Sequence, residues 1–339
     1  MPTTDAALAR PLAVSATATA CLTLAACLTL TSPAAAQTWK GYTFIPSVTH
    51  VAYKNLEAMG AEFTKVSGGK IQVRNSAGGQ LPVNATSITQ AVGEGIITFA
   101  QDGFYTGNIQ VGALPFLPML AGSYEDFQKI VALLEPYLES ELDKRGVKLL
   151  ATYNFPQQTI WTTFELTAID QLQGKKLRVA NNPQAQFFQQ LGAIPVTLGT
   201  PEVASALQRS VVDGVITASA GGGLLWGDMF KANHRVTICW DNFLIIVNKE
   251  AFQKLPADVQ PKIVAAARQH ADALTRDLAQ SEITSTEMLK GKGIRMSEPS
   301  ADVVKAMTAR AEPVWNEWAK GVGPQAVEAL AKARQAIGR

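Results

Sequence analysis

The segment that decides the fold reads Leu172-Gln173-Gly174-Lys175-Lys176-Leu177-Arg178-Val179-Ala180-Asn181-Asn182, with Thr200-Pro201-Glu202-Val203 and Val211-Val212-Asp213-Gly214 following it. Its pattern predicts strands at 176–179, 194–198 and 214–218, and helices at 184–191 and from Thr200 onward. Thr200 is suited to cap the second helix, with Pro201 at its first position. This alternation of strands and helices implies mostly parallel sheets covered by helices.

The chain before this segment shows the same alternation. Strands are predicted at 42–48, 71–73, 96–101 and 147–153. Ser123 with Asp126 predicts the start of a further helix, and Pro136 is expected to kink or restart it. Two α/β lobes of this kind have their crevice at the carboxyl ends of the strands.

Residues 256–290 contain no glycine, and Pro261 near the start is their only internal helix breaker, which predicts one very long helix. At the usual rise per residue, a helix of roughly 30 residues spans about 45 Å, more than one small lobe. We therefore expect it to bridge two lobes, and a plain surface helix of one lobe is the alternative. The C-terminal stretch that includes Val303 and Trp318 is expected to be helical and to pack on the second lobe.

The first 36 residues have the composition of an export signal. Arg10 precedes an uncharged run, and Ala34 and Ala36 are placed for cleavage after Ala36, which predicts a protein of the periplasm. Leu24-Ala25-Ala26-Cys27 has the form of a lipoprotein signal, so a lipid anchor at Cys27 stays open as the alternative. Thr, Ser and Pro interrupt the run, which argues against a transmembrane span.

The composition is that of an ordinary soluble globular protein. The 339 residues carry a net charge of +2, which gives no electrostatic footprint for nucleic acid. Two of the three cysteines lie in the leader, so Cys239 alone cannot form a disulfide or a cysteine metal site. His50, His234 and His270 are not spaced as a metal pair, and no catalytic or phosphate-binding motif occurs. We expect no metal, no cofactor and no enzymatic activity.

Arg178 is the leading functional candidate. It lies in a predicted buried strand between Leu177 and Val179, where a permanent charge is costly unless a carboxylate meets it. Its planar guanidinium can hold a carboxylate through two parallel hydrogen bonds. The residues alone leave three interpretations open: a ligand carboxylate, an internal ion pair with Asp or Glu, or an exposed strand end.

Four segments carry a resemblance to the solute-binding proteins of TRAP transporters, which covers residues 38–335: Leu172 to Asp213, Leu114-Pro115-Phe116, Val247-Asn248-Lys249 and Leu255-Pro256. The resemblance implies an α/β, two-lobe periplasmic-binding-protein-like fold with a hinge and a long lobe-bridging helix. It implies that Arg178 holds the carboxylate of an organic acid. The loaded protein would deliver this acid to a small and a large membrane subunit that use an ion gradient.

The resemblance also implies limits for the lobes and the hinge. Lobe I would comprise residues 37–156 plus about 241–275, and lobe II residues 157–240 plus about 276–339. The hinge strands would lie near 151–158 and 240–247, and the lobes would close on the ligand.

The resemblance leads to an expected set of ligand-binding residues, which comprises Arg178, Asn181, Gln157, Gln158, Thr217, Thr200, Phe155, Trp226 and Gln101. Three of these residues can instead have a purely structural role. Thr200 can cap its helix, Asn181 can cap a turn, and Trp226 can belong to a hydrophobic core. Many family members have a second arginine where this chain has Gln157 and Gln158, which favours a ligand with one carboxylate. Thr200 replaces an aromatic residue and Thr217 an asparagine, and this loss of bulk favours a larger or aromatic acid.

Two other functions remain as alternatives. The chain can be a binding protein that feeds a sensor kinase, which a neighbouring pair of multi-span membrane-protein genes would argue against. An exported α/β enzyme is the second, but it needs a nucleophile with a base, or a cofactor loop. The glycines at 221–223 do not supply that loop, because their spacing is wrong for a dinucleotide fingerprint. They predict a flexible entry to a helix at the cleft.

Overall fold

Two long strands, at Val147–Thr162 and Ala232–Asn248, run through the computed structural model, which describes residues 36–339. The strands are β1 (Gln37–Thr43), β2 (Ile71–Ser76), β3 (Phe99–Asp102), β4 (Val147–Thr162), β5 (Lys176–Val179), β6 (Ile194–Thr197), β7 (Gly214–Thr217), β8 (Ala232–Asn248) and β9 (Arg295–Ser297). The α-helices are α1 (Val51–Val66), α2 (Ile88–Gly93), α3 (Tyr124–Asp143), α4 (Asn182–Gln190), α5 (Thr200–Gln208), α6 (Leu224–Trp226), α7 (Lys249–Gln253), α8 (Gln260–Gly291), α9 (Ala301–Val322) and α10 (Pro324–Ala336). The predicted export signal, its cleavage and the lipid site at Cys27 concern residues 1–35, which lie outside the described range.

The strands form one sheet in the order β2-β1-β3-β8-β4-β7-β5-β6, and β9 pairs with β8. β1 is parallel to β2 and β3, and β5 is parallel to β6 and β7. We call β1–β3 with α1–α3 the first lobe, and β5–β7 with α4–α6 the second lobe. The parallel α/β pattern that the sequence predicts is confirmed in both. A separate apolar cluster that includes Val203, Val215 and Phe230 forms a core on the side of the second lobe.

The strands β4 and β8 are shared by the two lobes. β8 is antiparallel to β3 and to β4, and β4 is antiparallel to β7. The predicted hinge segments lie side by side in these strands, with Asn154 opposite Asn242 and Phe155 opposite Asp241. The register shifts between Phe155 and Gln158, and such a bulge bends a strand. The lobes are therefore joined through a bent antiparallel pair.

The helix α8 bridges the lobes, as the sequence predicts. It has 32 residues and contacts α1 of the first lobe, the shared strand β4 and the turn Ser219–Gly223 of the second lobe. Asn55 of α1 donates to His270 O at 2.9 Å, and Glu282 accepts from Ala220 N at 2.7 Å. Within residues 36–339, no helix has the length and apolar character needed to cross a membrane.

Three local expectations need correction. The helix α3 continues through Pro136 and does not restart there, and Phe127, Leu134 and Leu138 are buried on both sides of the proline, so that only a kink stays a prediction. The helix α5 begins at Thr200 itself, so Gly199 occupies the cap position and its N–H donates to Glu202 Oε2 at 2.8 Å. Thr200 is therefore free of the capping role that the sequence predicts for it.

The third correction concerns the C-terminal helices, which touch both lobes. α9 contacts α4 of the second lobe, whereas α10 packs against α3 of the first lobe. Trp315 of α9 donates to Pro118 O at 2.7 Å. The C-terminal stretch therefore does not pack on the second lobe alone, and the lobe limits given above stay a prediction.

Candidate ligand-binding site

A narrow cavity lies between the lobes, where the parallel strands end. Phe44 follows β1, Phe104 follows β3, Asn181 follows β5 and Thr217 ends β7, and all four line the cavity. This position is the crevice expected for two α/β lobes. The volume of about 40 Å³ is far below the roughly 300–1,000 Å³ of drug-sized ligand sites. In this conformation the cavity leaves little free space, and the larger or aromatic acid that the sequence suggests stays a prediction.

Arg178 extends from β5 into this cavity and is only 4% exposed. Its Nε donates to Leu198 O at 2.9 Å, and its guanidinium carbon lies 5.9 Å from the centre of the Phe104 ring. Among the described residues, the two terminal amino groups of Arg178 donate to no protein acceptor. Burial lowers the pKa of Arg178 to about 10, so it stays charged at neutral pH. It therefore presents a charged, two-pronged donor to the cavity.

Asp241 of β8 is the other charged side chain among the described lining residues, and it is 6% exposed. Its Oδ1 accepts a hydrogen bond from the Cys239 thiol at 3.6 Å. Burial raises the pKa of Asp241 to about 7, although Cys239 and Arg178 both act to lower it. In the described part of the chain, Asp241 and Arg178 do not form an ion pair with each other.

Five phenylalanines line the cavity, and four of them belong to the first lobe or to β4: Phe44, Phe104, Phe116, Phe155 and Phe243. Their rings contact one another, with centres 5.2 Å apart for Phe44 and Phe243 and 5.0 Å apart for Phe155 and Phe243. An apolar wall excludes water, and so it strengthens the electrostatic interactions of the two charged groups.

Seven of the predicted site residues line the cavity: Arg178, Asn181, Gln158, Thr217, Thr200, Phe155 and Trp226. Several also have structural roles. Asn181 caps α4 by accepting from Gln184 N at 3.0 Å, and Thr217 Oγ1 accepts from Gly222 N at 2.9 Å. Lining the cavity makes contact with a ligand possible, and that contact stays a prediction.

The structure does not bring Gln157 and Gln101 to the cavity. Neighbouring residues of a strand point to opposite faces. Gln158 faces the cavity, whereas Gln157 lines a separate outer groove together with Tyr124 and Trp240. Gln101 is completely buried and donates to Ala52 O of α1 at 3.1 Å. Neither residue lines the cavity in this conformation, and their predicted contact with a ligand stays a prediction.

Sequence reasoning missed Asp241 and most of the phenylalanine wall. Phe44 directly follows β1 and Phe104 lies two residues after β3, and these places at the carboxyl ends of parallel strands are a signal that could have identified them. Asp241 is an isolated acid in a largely apolar stretch from Val236 to Val247, and a charge there is costly unless it has a partner or a role.

The turn Ser219–Gly223 joins the second lobe to the rest of the molecule. His50 Nδ1 accepts from Ala52 N at 3.1 Å, so Nε2 carries the proton that is donated to Ala220 O at 2.8 Å. Burial lowers the pKa of His50, which favours this neutral form. Because Glu282 of α8 accepts from Ala220 N, the backbone of a single residue of the second lobe is held by both the first lobe and the bridging helix.

A model of the bacterial extracellular solute-binding proteins of family 7 matches residues 44–321. This chain belongs to that family. In residues 36–339, no group of three His, Cys, Asp or Glu side chains is placed to hold a metal ion.

Curated relatives of this family 7 protein are moderately similar in sequence. The C4-dicarboxylate-binding periplasmic protein of Rhodobacter capsulatus is 26% identical over 220 residues, which are 63% of this chain and 66% of that relative. A solute-binding protein of Verminephrobacter eiseniae is 25% identical over 291 residues, or 82% of this chain and 84% of the relative.

Solved structures show the same fold at lower sequence identity. An extracytoplasmic solute receptor of Bordetella pertussis that binds pyroglutamic acid has a TM-score of 0.82 and 21% identity, and the match covers 88% of this chain and all of that chain. A TRAP periplasmic solute-binding protein of Desulfovibrio salexigens with bound orotic acid has a TM-score of 0.81 and 19% identity, over 89% of this chain and 99% of that chain. These similarities show that this family 7 member has the two-lobe fold of TRAP solute-binding proteins.

Proposed function

We propose that this protein is the periplasmic receptor of a TRAP-type secondary transporter and that it binds a small organic acid with one carboxylate. Arg178 is the observation that carries the proposal. Its guanidinium is buried and charged, and its two terminal amino groups have no protein acceptor among the described residues. A ligand carboxylate supplies the missing acceptor in two parallel hydrogen bonds.

The charges of the cavity support a single carboxylate. Arg178 is the one basic side chain among the described lining residues, and Asp241 would repel a second carboxylate. A buried negative charge without a partner is costly. The similar structures from Bordetella pertussis and Desulfovibrio salexigens contain pyroglutamic and orotic acid, which each have one carboxyl group. The relative from Rhodobacter capsulatus is described as binding C4-dicarboxylates, so the screen must include both classes.

Delivery to membrane subunits is the second part of the proposal. The family is extracellular, and its TRAP members give the expectation of a small and a large membrane subunit driven by an ion gradient. The predicted export signal at residues 1–36 would place the protein in the periplasm, where it would bind its ligand without chemical conversion. A neighbouring pair of multi-span membrane-protein genes supports transport, and a neighbouring sensor kinase gene supports the signalling alternative.

A thermal-shift screen tests the ligand class. The purified protein is heated with a panel of monocarboxylic acids, dicarboxylic acids, and the neutral amide of each monocarboxylic acid. A ligand that binds only the folded state stabilises it by about 2.7 kcal/mol when its concentration is 100 times the Kd. We expect a small monocarboxylic acid to raise the Tm and its amide to have no effect. Equal shifts by an acid and its amide would refute the role of the carboxylate.

A further inference from the structure

The cavity contains two opposite charges that do not meet. Arg178 enters from β5 of the second lobe, and Asp241 enters from the shared strand β8. Both side chains are almost completely buried, yet they form no ion pair in the described part of the chain. Since each charge attracts the other only across the cavity, a bound molecule that touches both would join them.

Asp241 has fewer hydrogen bonds than a buried carboxylate normally accepts. The one donor within reach among the described side chains is the Cys239 thiol at 3.6 Å, and a thiol is a weak donor. Buried carboxylates are normally satisfied by several donors, because an unsatisfied one is costly. By comparison, the buried Asp102 accepts from Thr89 Oγ1 at 2.6 Å and from Phe104 N at 2.8 Å. Asp241 therefore has acceptor capacity left over, and it is directed into the cavity.

We propose that Asp241 is a second ligand-binding residue, and that the ligand is a small monocarboxylic acid which also carries a hydroxyl or N–H donor. The carboxylate binds Arg178 and the donor binds Asp241, so the ligand bridges the two charges. A plain acid leaves Asp241 unsatisfied, and a dicarboxylate brings a second negative charge to it. This inference rests on the proposed function, since it requires Arg178 to hold the carboxylate.

Matched pairs of acids test the preference. L-pyroglutamate is compared with cyclopentanecarboxylate, which has a similar ring but no N–H, and lactate is compared with propionate, which lacks the hydroxyl group. Succinate represents the dicarboxylates. Titration calorimetry of the purified protein is expected to show that the donor-bearing acid of the better-binding pair binds about 10- to 100-fold more tightly than its partner.

Variants then assign the preference to Asp241. Asp241→Asn keeps the shape of the side chain but removes its charge, and Asp241→Leu removes the acceptor. We expect the donor preference to shrink at least about fivefold in Asp241→Asn and to vanish in Asp241→Leu. Asp272→Asn is the matched control, because Asp272 is exposed on α8 and distant in sequence from the cavity residues. Circular dichroism checks that each variant is folded.

The outcomes separate this inference from the proposed function. An unchanged donor preference in Asp241→Asn and Asp241→Leu, together with loss of all acid binding in Arg178→Met, would overturn the role of Asp241 and leave the receptor function intact. Acid binding that survives in Arg178→Met, or no binding of any acid to the wild-type protein, would overturn both. Tighter binding of succinate than of every monocarboxylic acid would also overturn the inference.

Discussion

At the scale of single residues, the cavity keeps two buried charges that would destabilise the fold if they had no use. Arg178 loses most of its water on burial and gains one hydrogen bond to a backbone carbonyl. Replacing such a charge by a well-packed apolar side chain is often neutral or stabilising. We therefore expect the folding stability that these buried charges cost to be offset by a more favourable free energy of ligand binding.

The first prediction concerns Arg178. Arg178→Met is expected to weaken binding of the best acid by roughly 3–5 kcal/mol, because the ligand carboxylate would be buried without its partner. The affinity of Arg178→Lys should lie between the affinities of Arg178→Met and the wild type, since the point charge of a lysine cannot make the two parallel hydrogen bonds. Calorimetry measures both. The Tm of the free Arg178→Met protein should not fall, and an unchanged affinity in that variant would contradict the assignment.

The second prediction concerns the pH dependence that Asp241 imposes on stability. Its pKa is about 7 in the fold against 3.8 when unperturbed, so the folded state binds the extra proton more tightly. Stability from this group is therefore present below about pH 4 and is lost as the pH rises through about 7. The groups that face or adjoin Asp241 are Arg178, Cys239, Tyr105 and Tyr153.

Asp241→Asn removes the ionisable carboxyl group, and with it the loss of folding stability that accompanies the rise in pH. The free variant should be more stable than the wild type at pH 8, and the gain should shrink toward zero near pH 4. Urea unfolding at both pH values measures the free energy of unfolding. A gain of equal size at both pH values would show that the buried charge is not its cause. His50 and His234 act on the stability curve in the opposite direction, because burial lowers the pKa of each, and both are present in wild type and variant.

At the scale of elements, the sequence predicts those strands and helices whose pattern is local. The strands of the second lobe, α8 and the Ser123 cap of α3 follow from apolar periodicity and capping residues. The first strand was misplaced, because it was predicted at 42–48 and lies at Gln37–Thr43. From residue patterns alone β4 was predicted only as far as Tyr153, because Pro156 has no N–H and its polar neighbours Gln157 and Gln158 are typical of a loop, and only the family resemblance extended a strand to 158. Pairing with β8 holds this stretch, and Pro156 falls in the register shift between Phe155 and Gln158.

The same distinction explains the site. Arg178 and Thr217 were predictable because each lies on a short strand of one lobe. Asp241 was not predicted, because its place in the cavity depends on β8 crossing between the lobes and pairing with the bulged part of β4. Gln157 and Gln158 show most simply what the sequence leaves open. The pairing of β4 in the sheet fixes the register of the strand, and this register decides which of the two side chains faces the cavity.

The third prediction concerns the turn Ser219–Gly223, which forms one wall of the cavity. A Cβ added at Gly222 would overlap the Trp226 ring and lie 2.7 Å from Thr217 Oγ1. Gly222→Ala is therefore expected to displace Trp226, to lower stability by about 1–3 kcal/mol and to weaken acid binding at least about tenfold. Gly321→Ala in α9 is the control, because a Cβ there meets no atom within 4 Å. It should raise stability by up to about 1 kcal/mol without changing affinity.

Thermal unfolding and calorimetry on the two glycine variants decide this point. Wild-type affinity in Gly222→Ala would show that Trp226 and the turn adapt without cost to the cavity.

At the scale of the whole molecule, separation of the two lobes requires β4 and β8 to bend, because both strands are shared by the lobes. The bulge at Phe155 to Gln158 lies beside Asp241, so one of the proposed ligand-binding residues belongs to the bend itself. A ligand that joins Arg178 of the second lobe to Asp241 would therefore favour the bent, closed arrangement. A ligand shifts such an equilibrium only through its different affinity for the two arrangements.

The fourth prediction follows from this coupling. A saturating acid should reduce the radius of gyration in small-angle scattering and change the fluorescence of Trp226, which lines the cavity. The Arg178→Met variant mixed with the same acid is the control and should show neither change. Identical scattering curves with and without a confirmed ligand would rule out closure as a response to binding.

The last prediction concerns the contact between His50 and Ala220, which joins the lobes outside the described lining of the cavity. His50→Asn retains a side chain able to cap α1 but is too short to reach Ala220 O. Loss of one hydrogen bond in the closed form should speed ligand dissociation about 2- to 10-fold, with little change in association. His50→Ala should have the same kinetic effect and should also lower the free energy of unfolding by about 1 kcal/mol, because α1 then loses its cap. Stopped-flow fluorescence and urea unfolding separate the two effects. If dissociation is as slow in both variants as in the wild type, the contact does not hold the lobes closed, and the ligand alone, through Arg178 and Asp241, must do so.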